Sequence, residues 1–207
     1  MPRDIYKAVM FDLYTALLDS WSLWNQVAGS AELGALWRKK YLELTYQAGP
    51  YRSYDGIIAE SAQEVGLAAE RAAALIQSWS ALEPWPETRQ VVEAIAKRMP
   101  IAVATNSSIE LAGIAVATIG VAIPVVVTAE ESGYYKPQPQ TYRLTLERLG
   151  YEAAEVLFVA GSASDVPGAT HVGMPVYWHN RIHQRPADDI TKPKHESDSL
   201  LPLLDLV

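Results

Sequence analysis

Four short polar clusters interrupt the apolar runs of this sequence: Asp12 with Tyr14, Thr105-Asn106-Ser107-Ser108, Lys136, and Ala160 to Asp165. Together they offer two carboxylates, a lysine, an amide and several hydroxyls. A carboxylate can attack a substrate carbon to form an ester, and a lysine beside it can offset the charge of an anionic substrate. The chain has no Cys, which excludes thiolate nucleophiles, disulfides and Cys-type zinc sites. Carboxylates, hydroxyls and the lysine remain as possible nucleophiles. His171, His179, His183 and His195 show no metal-ligand spacing near these clusters and read as surface or late-chain residues.

Each cluster needs an element to position it. Tyr6 to Asp12 (YKAVMFD), Ile101 to Ala104, Val125 to Val127 and Val156 to Val159 are apolar runs of strand length, and Val176-Tyr177-Trp178 is a shorter one. Helical stretches such as Gln140 to Leu149 separate them. Residues 20–98 hold no convincing strand but several helical stretches, including Ala31 to Ala48 and Ala68 to Trp79, closed by Pro84 and Pro86. Apolar strands alternating with helices predict an α/β fold, a parallel sheet covered on both faces. In such sheets ligands bind beyond the carboxyl ends of the strands, which is where the polar clusters fall. Arg181 to Ser199 is polar and Pro-containing, and reads as a surface loop before a short C-terminal helix.

The 207 residues carry 17 Lys+Arg against 24 Asp+Glu, a net charge of -7. With 49% apolar and 20% charged residues, the chain is neither disordered nor fibrous, and it can bury one core plus a small accessory lobe. The acidic balance, with no basic tract, argues against nucleic acid or an anionic membrane as partner. No charge occurs between Glu110 and Glu130, but Gly113, Gly120 and Pro124 interrupt that stretch. It reads as a buried helix followed by a buried strand rather than a membrane span. Met1-Pro2-Arg3-Asp4 lacks the features of a signal peptide, and with no Cys the expected location is the reducing cytoplasm.

Taken in order, FDLYTALLD (11–19), ATNSS (104–108), YYKPQPQTY (134–142) and FVAGSASD (158–165) resemble the motifs of the haloacid dehalogenase superfamily. The resemblance spans nearly the whole chain. It implies a Rossmann-like doubly wound core from residues 1–18 and 90–207, with residues 19–89 inserted as a helical cap subdomain. Phosphatases of this superfamily carry a second Asp two residues after the nucleophile to protonate the leaving oxygen. Here that residue is Tyr14, whose ordinary pKa of about 10 makes it a poor acid for the task. A Tyr at this place is similar to the L-2-haloacid dehalogenase branch, where a halide leaves and needs no proton. Magnesium-dependent members also add an acid early in the last motif, where this chain has Ala160, Gly161 and Ser162. Asp12 and Asp165 alone are too few carboxylates for a typical magnesium site, so neither metal nor other cofactor is expected. Leu36 to Tyr46 (LWRKKYLELTY) is similar to the dehalogenase helix whose Arg reaches the halide. On a helix Leu33, Trp37, Tyr41 and Leu44 share one face, and Arg38 sits about 100° from Trp37.

The resemblance implies a small anionic 2-haloacid as substrate and a homodimer as the assembly. Asp12 would attack the α-carbon opposite the halogen, Lys136 would supply positive charge, and Asp165 would hold Lys136 and orient water. Thr105 with nearby amides would hold the substrate carboxylate, and Arg38 with Asn106 would cradle the halide. Tyr14, Tyr142 and Ser162 complete the expected binding residues. Several family positions differ: Thr15-Ala16 replaces Gly-Thr, Lys39 replaces Gln, and Ala160 and Ser162 replace Ser and Asn. Ser164 stands where an apolar wall residue is usual, which predicts a roomier or wetter pocket. These changes also predict slower ester hydrolysis. A small-molecule phosphatase and a catalytically impaired binding protein therefore stay open, and Asn106 and Ser107 could instead serve as helix N-caps.

Overall fold

The computed structural model describes residues 6–207; Met1 to Asp4, read above for a leader, lie outside them. Strand β1 (Ala8–Phe11) comes first and is buried throughout. Helices α1 (Ser20–Ala28), α2 (Ala31–Ala48), α3 (Tyr54–Glu64) and α4 (Ala69–Gln77) follow as an insertion. Then come α5 (Thr88–Ala96), β2 (Ile101–Thr105), α6 (Ile109–Ile119), β3 (Val125–Thr128), α7 (Ala129–Ser132) and α8 (Pro139–Leu149). The chain continues through β4 (Val156–Ala160), α9 (Asp165–Val172), β5 (Val176–His179), β6 (His195–Ser197) and α10 (Leu203–Leu206).

The strands form one parallel sheet in the order β3-β2-β1-β4-β5-β6. This is the expected α/β architecture. β1 sits at the point where the strand order reverses, the place where open α/β sheets bind ligands. Phe11 pairs with Val103 on one side and Val159 on the other, so Asp12 emerges level with the ends of β2 and β4.

Side chains alternate between two buried layers. Val9, Phe11, Val103, Leu157 and Val159 join the larger cluster, which includes Trp24, Trp37 and Trp79 of the insertion. Met10, Ala102, Ala104 and Phe158 face the other way, onto Tyr142, Leu146, Val166 and Ala169 from α8 and α9. Burial on both faces is why these strands read as continuous apolar runs.

The insertion leaves and rejoins the sheet at one place. The Asp19 N–H donates to the Glu83 carbonyl at 2.8 Å, and Leu18 forms an antiparallel bridge with Pro84. Helix α2 has the limits its spacing predicts, and the Ser30 hydroxyl caps it by accepting from Leu33 N–H. Its buried residues are Gly34, Trp37, Arg38, Tyr41 and Thr45, so Arg38 lies on the covered face while Leu33 and Leu44 are half-buried. A Cβ at Gly34 would overlap Asn25 of α1; the two helices meet backbone to backbone, which only glycine permits.

Two expectations are corrected here. The segment 181–199 is not wholly a loop, because His195–Ser197 add to the sheet as edge strand β6. β6 is only three residues long and wholly polar, so no apolar run announces it, unlike Val125-Val126-Val127 of β3 at the opposite edge. His179, read as a surface or late-chain residue, is fully buried at the end of β5. The charge-free stretch forms α6 and β3 as read, and among the described residues no helix is long and apolar enough to cross a membrane.

Candidate active site

The turn after β1 is tied down at almost every carbonyl. Asp12 N–H continues the sheet by donating to Val159 O at 2.9 Å. The Tyr14 carbonyl accepts from the Ser20 hydroxyl, and Thr15 O accepts from Trp85 Nε1 at 2.9 Å. Ala16 O meets His179 Nδ1 at 2.8 Å, and Leu17 O takes the Thr88 hydroxyl at 2.8 Å. A Cβ at Gly161 would overlap Ala16 N and come within 2.8 Å of Asp12 Oδ2, so only glycine lets the β4 exit approach this turn. Asp12 is thereby held at one orientation, with Thr15 N–H donating to its Oδ2 at 3.3 Å.

Lys136 reaches the same carboxylate from the loop before α8. Its Nζ donates to Asp12 Oδ1 at 2.9 Å and to Asp165 Oδ2 at 3.1 Å, and lies 3.0 Å from Asp165 Oδ1. All three groups are buried. Burial works against the charge of Lys136, yet the two carboxylates outweigh it and hold the ammonium above the ordinary lysine pKa. Burial lifts Asp165 above the ordinary carboxylate value, against the pull of Lys136.

The Asn106 amide fixes the lysine's backbone: Lys136 N–H donates to its Oδ1 at 2.6 Å, and its Nδ2 donates to Lys136 O at 3.0 Å. Asn106 also borders the cavity, but these bonds make it a support for Lys136 before any ligand arrives. Neither Asn106 nor Ser107 caps a helix. Ser108 caps α6 instead, accepting from Leu111 N–H. The Ser107 hydroxyl pairs with Tyr14 Oη at 2.6 Å.

Arg38 enters from α2 across the cavity. Its Nη2 donates to Thr15 Oγ1 at 3.0 Å, and its guanidinium lies 4.5 Å from the Trp21 ring centre and 5.6 Å from that of Trp24. Burial lowers its pKa, though a guanidinium stays protonated in proteins. Tyr14 packs edge-on to Trp79 at 5.3 Å, and burial raises its phenol well above the ordinary range. It is thus a neutral wall and a poor proton source.

The resulting cavity is small, about 30 Å³. Asp12, Thr15, Arg38, Lys136, Ser162 and Asp165 supply its polar lining, and Tyr41, Leu42, Tyr46, Tyr54 and Trp79 its walls. Two cations face two carboxylates, so the site is balanced until an anion binds. Ser164, expected to leave the pocket roomier or wetter, is not among the cavity's lining residues, whereas Tyr46 is. Two expected binding residues fall outside the lining. Thr105 is fully buried in the sheet, and its hydroxyl has no hydrogen-bond partner. Tyr142 is fully buried beneath the site and donates to Asp165 Oδ1 at 2.7 Å, so it positions that carboxylate.

Magnesium, used by other branches of the resembling superfamily, does not fit this donor set. The two carboxylates both bind Lys136, and Tyr14 and Ser162 bring no further acid. Among the described residues no group of three or more His, Cys, Asp or Glu could hold a metal ion.

Sequence reasoning missed Thr15 as the acceptor for Arg38, Ser107 as the partner of Tyr14, and Tyr46 as a wall residue. Helical spacing could have found the last: Arg38, Leu42 and Tyr46 follow one another at four-residue steps along a single stripe of α2.

Comparison with known proteins agrees with this geometry. The family profile of haloacid dehalogenase-like hydrolases matches residues 6–173. The chain is 30% identical to an (S)-2-haloacid dehalogenase of Pseudomonas putida over 84% of its length and 86% of the relative's. It is 29% identical to a haloacetate dehalogenase of Moraxella sp. (strain B), over 84% and 86% respectively. Among solved structures, an L-2-haloacid dehalogenase superposes with a TM-score of 0.87 at 26% identity, covering 98% of each chain. A fold match over the full sheet and insertion, together with a profile match through all four motifs, places the chain in the haloacid dehalogenase-like hydrolase family.

Proposed function

We propose that the protein is a hydrolytic dehalogenase of short 2-haloacids that works without a metal. The observation that carries this reading is the pairing across one cavity of Asp12, backed by Lys136, with Arg38, buried and held by Thr15. Asp12 attacks the α-carbon from the side opposite the halogen, forming an aspartyl ester and expelling halide. Arg38 meets the departing anion, and Lys136 offsets the repulsion between the Asp12 and substrate carboxylates. Charge balances through this step. The substrate brings one negative charge to a neutral site, and the ester complex with halide carries the same net charge. Water then attacks the ester carbonyl and releases the 2-hydroxy acid with inverted configuration. Tyr14 suits a leaving group that takes no proton, and its near neighbours Ser107 and Trp79 hold it as a wall. The backbone amides of the turn that follows Thr105, ahead of α6, are the expected site for the substrate carboxylate, since the first amides of α6 itself already serve Glu130 and Ser108.

Halide release from chloroacetate and L-2-chloropropionate, measured with EDTA present, tests the reading. Asp12→Asn should abolish it. Hydrolysis of p-nitrophenyl phosphate that requires magnesium, with no halide release, would replace this reading with a phosphatase. The same reading carries a homodimer working in the reducing cytoplasm, in keeping with the lack of Cys; sedimentation velocity measures the assembly.

A further inference from the structure

The second half of the reaction needs a water placed beside the Asp12 ester and within reach of a base. Asp165 is the other carboxylate bordering the cavity, but its oxygens are already engaged. Oδ1 takes Tyr142, Oδ2 takes Ser162 at 3.1 Å, and Lys136 touches both. A water therefore reaches Asp165 most directly through the Ser162 hydroxyl. Ser162 Oγ spends its proton on Asp165 and keeps lone pairs to accept with. Tyr46 Oη donates to it at 3.4 Å, a long and weak bond whose two ends both border the cavity. Burial raises the Tyr46 phenol above its ordinary value, so it remains a donor at neutral pH.

On the reading of Asp12 as ester-forming nucleophile, we propose that Tyr46 is a positioning residue for hydrolysis, orienting through Ser162 the water that attacks the Asp12 ester. The water donates to Ser162 Oγ and accepts from Tyr46 Oη, bridging a gap that the direct bond spans poorly. As the water oxygen bonds to the ester carbonyl carbon, its proton passes to Ser162 and the Ser162 proton passes to Asp165. The tetrahedral adduct breaks its bond to the alkoxy oxygen. That alkoxide takes the proton of the Asp12 acid, and Asp165 returns its proton to solvent. Ester plus water thus gives Asp12 carboxylate, 2-hydroxy acid and one proton. Arg38 and Tyr46 stand two turns apart on α2, so one helix serves both halves of the reaction.

Rapid-quench halide release and intact mass, run on the full-length protein with chloroacetate, test this. In Tyr46→Phe the first halide per site should be released at the wild-type rate. Steady-state turnover should fall about tenfold, and the Asp12 ester should accumulate as added mass. Ser162→Ala should do the same, and the double variant should be no worse than the poorer single. If first-halide release and steady state fall together, or if neither changes, Tyr46 is only a wall and the proposal is overturned. A wild-type protein that releases no halide from chloroacetate and gains no mass overturns the dehalogenase reading itself, and the role of Tyr46 with it, before any variant is made.

Discussion

Thr15 Oγ1 accepts a hydrogen bond from Arg38 Nη2 at 3.0 Å, joining the turn after β1 to a helix of the insertion. The family's usual hydroxyl in this turn is lost at Ala16, but one stands one residue earlier and faces the guanidinium. Two rings, Trp21 and Trp24, cover the cation. Arg38 Nε has no partner and is buried, so the Thr15 contact is a principal polar anchor of the group.

Removing that acceptor should weaken the site more than the fold. A hydrogen bond to a charged group contributes about 1.5–3 kcal/mol, which corresponds to roughly 10- to 100-fold in kcat/KM. Thr15→Ala should therefore lose about that factor in halide release, and Thr15→Ser should keep most of it. Steady-state kinetics on both variants, with thermal melts as a control for folding, measure the difference. Equal activity in Thr15→Ala would mean that the indole faces alone hold Arg38.

Lys136 binds two carboxylates at once, and each is nearly inaccessible. Removing the ammonium leaves both buried without their counter-charge. Breaking such an arrangement costs about 3–5 kcal/mol, so Lys136→Met should lower the urea midpoint sharply as well as abolish turnover. Asp165→Asn in the same background should recover part of that stability, because one of the stranded charges is then gone. Activity should not return. Urea unfolding of the single and double variants tests both statements.

The sheet was legible because strands buried on both faces can only be apolar, as in Val156–Ala160. Asp12 was legible because a charged residue at the exit of such a strand has few structural uses, and Lys136 and Asp165 because they fall in the motifs that resemble the family's. The limits of α2 follow from Ser30 and Gly49, which bracket it. What escaped depends on how distant elements meet. Thr15 becomes a ligand of Arg38 only once the insertion folds over the turn, and Tyr46 meets Ser162 only once α2 lies against the exit of β4. Tyr142 lies beneath Asp165 rather than in the cavity, a difference of layer that spacing along α8 does not encode. β6 escaped because its three residues, His195-Glu196-Ser197, are all polar, whereas the other edge strand, β3, begins Val125-Val126-Val127.

His179 should make stability depend on pH. Burial lowers its pKa from the ordinary 6.5, partly offset by its bond to Ala16 O and by Glu87, while Arg181 adds to the lowering. A depressed folded value means the unfolded chain binds the proton first, so stability rises with pH across the interval. The contribution is whole above about pH 6.5 and is lost as the pH falls through the lower folded value. His179→Asn keeps a donor toward Ala16 O but does not titrate. Its urea midpoint should change less than that of the wild type between about pH 7.5 and 5. Parallel curves for the two proteins would assign the acid sensitivity to other groups, such as Glu87.

Substrate length should be set by the insertion's walls. Leu42, Tyr46, Tyr54 and Trp79 wall the cavity of about 30 Å³ that Asp12 borders, and the sheet side cannot recede. A two-carbon acid places only its carboxylate, α-carbon and halogen there. Each further carbon must displace a wall in a packed interior, and overpacking costs about 1–3 kcal/mol. Chloroacetate should therefore be turned over with higher kcat/KM than 2-chloropropionate, and 2-chlorobutyrate should be poorer still. Leu42 is the wall to test because it is half-buried and carries no polar group. Leu42→Ala should lose about 2 kcal/mol of stability and shift the ratio of 2-chlorobutyrate to chloroacetate upward by about tenfold. Specificity constants for the three acids on both proteins decide it. An unchanged ratio would mean that the limit lies at the rings of Tyr54 and Trp79, and that the longer chain is directed toward them.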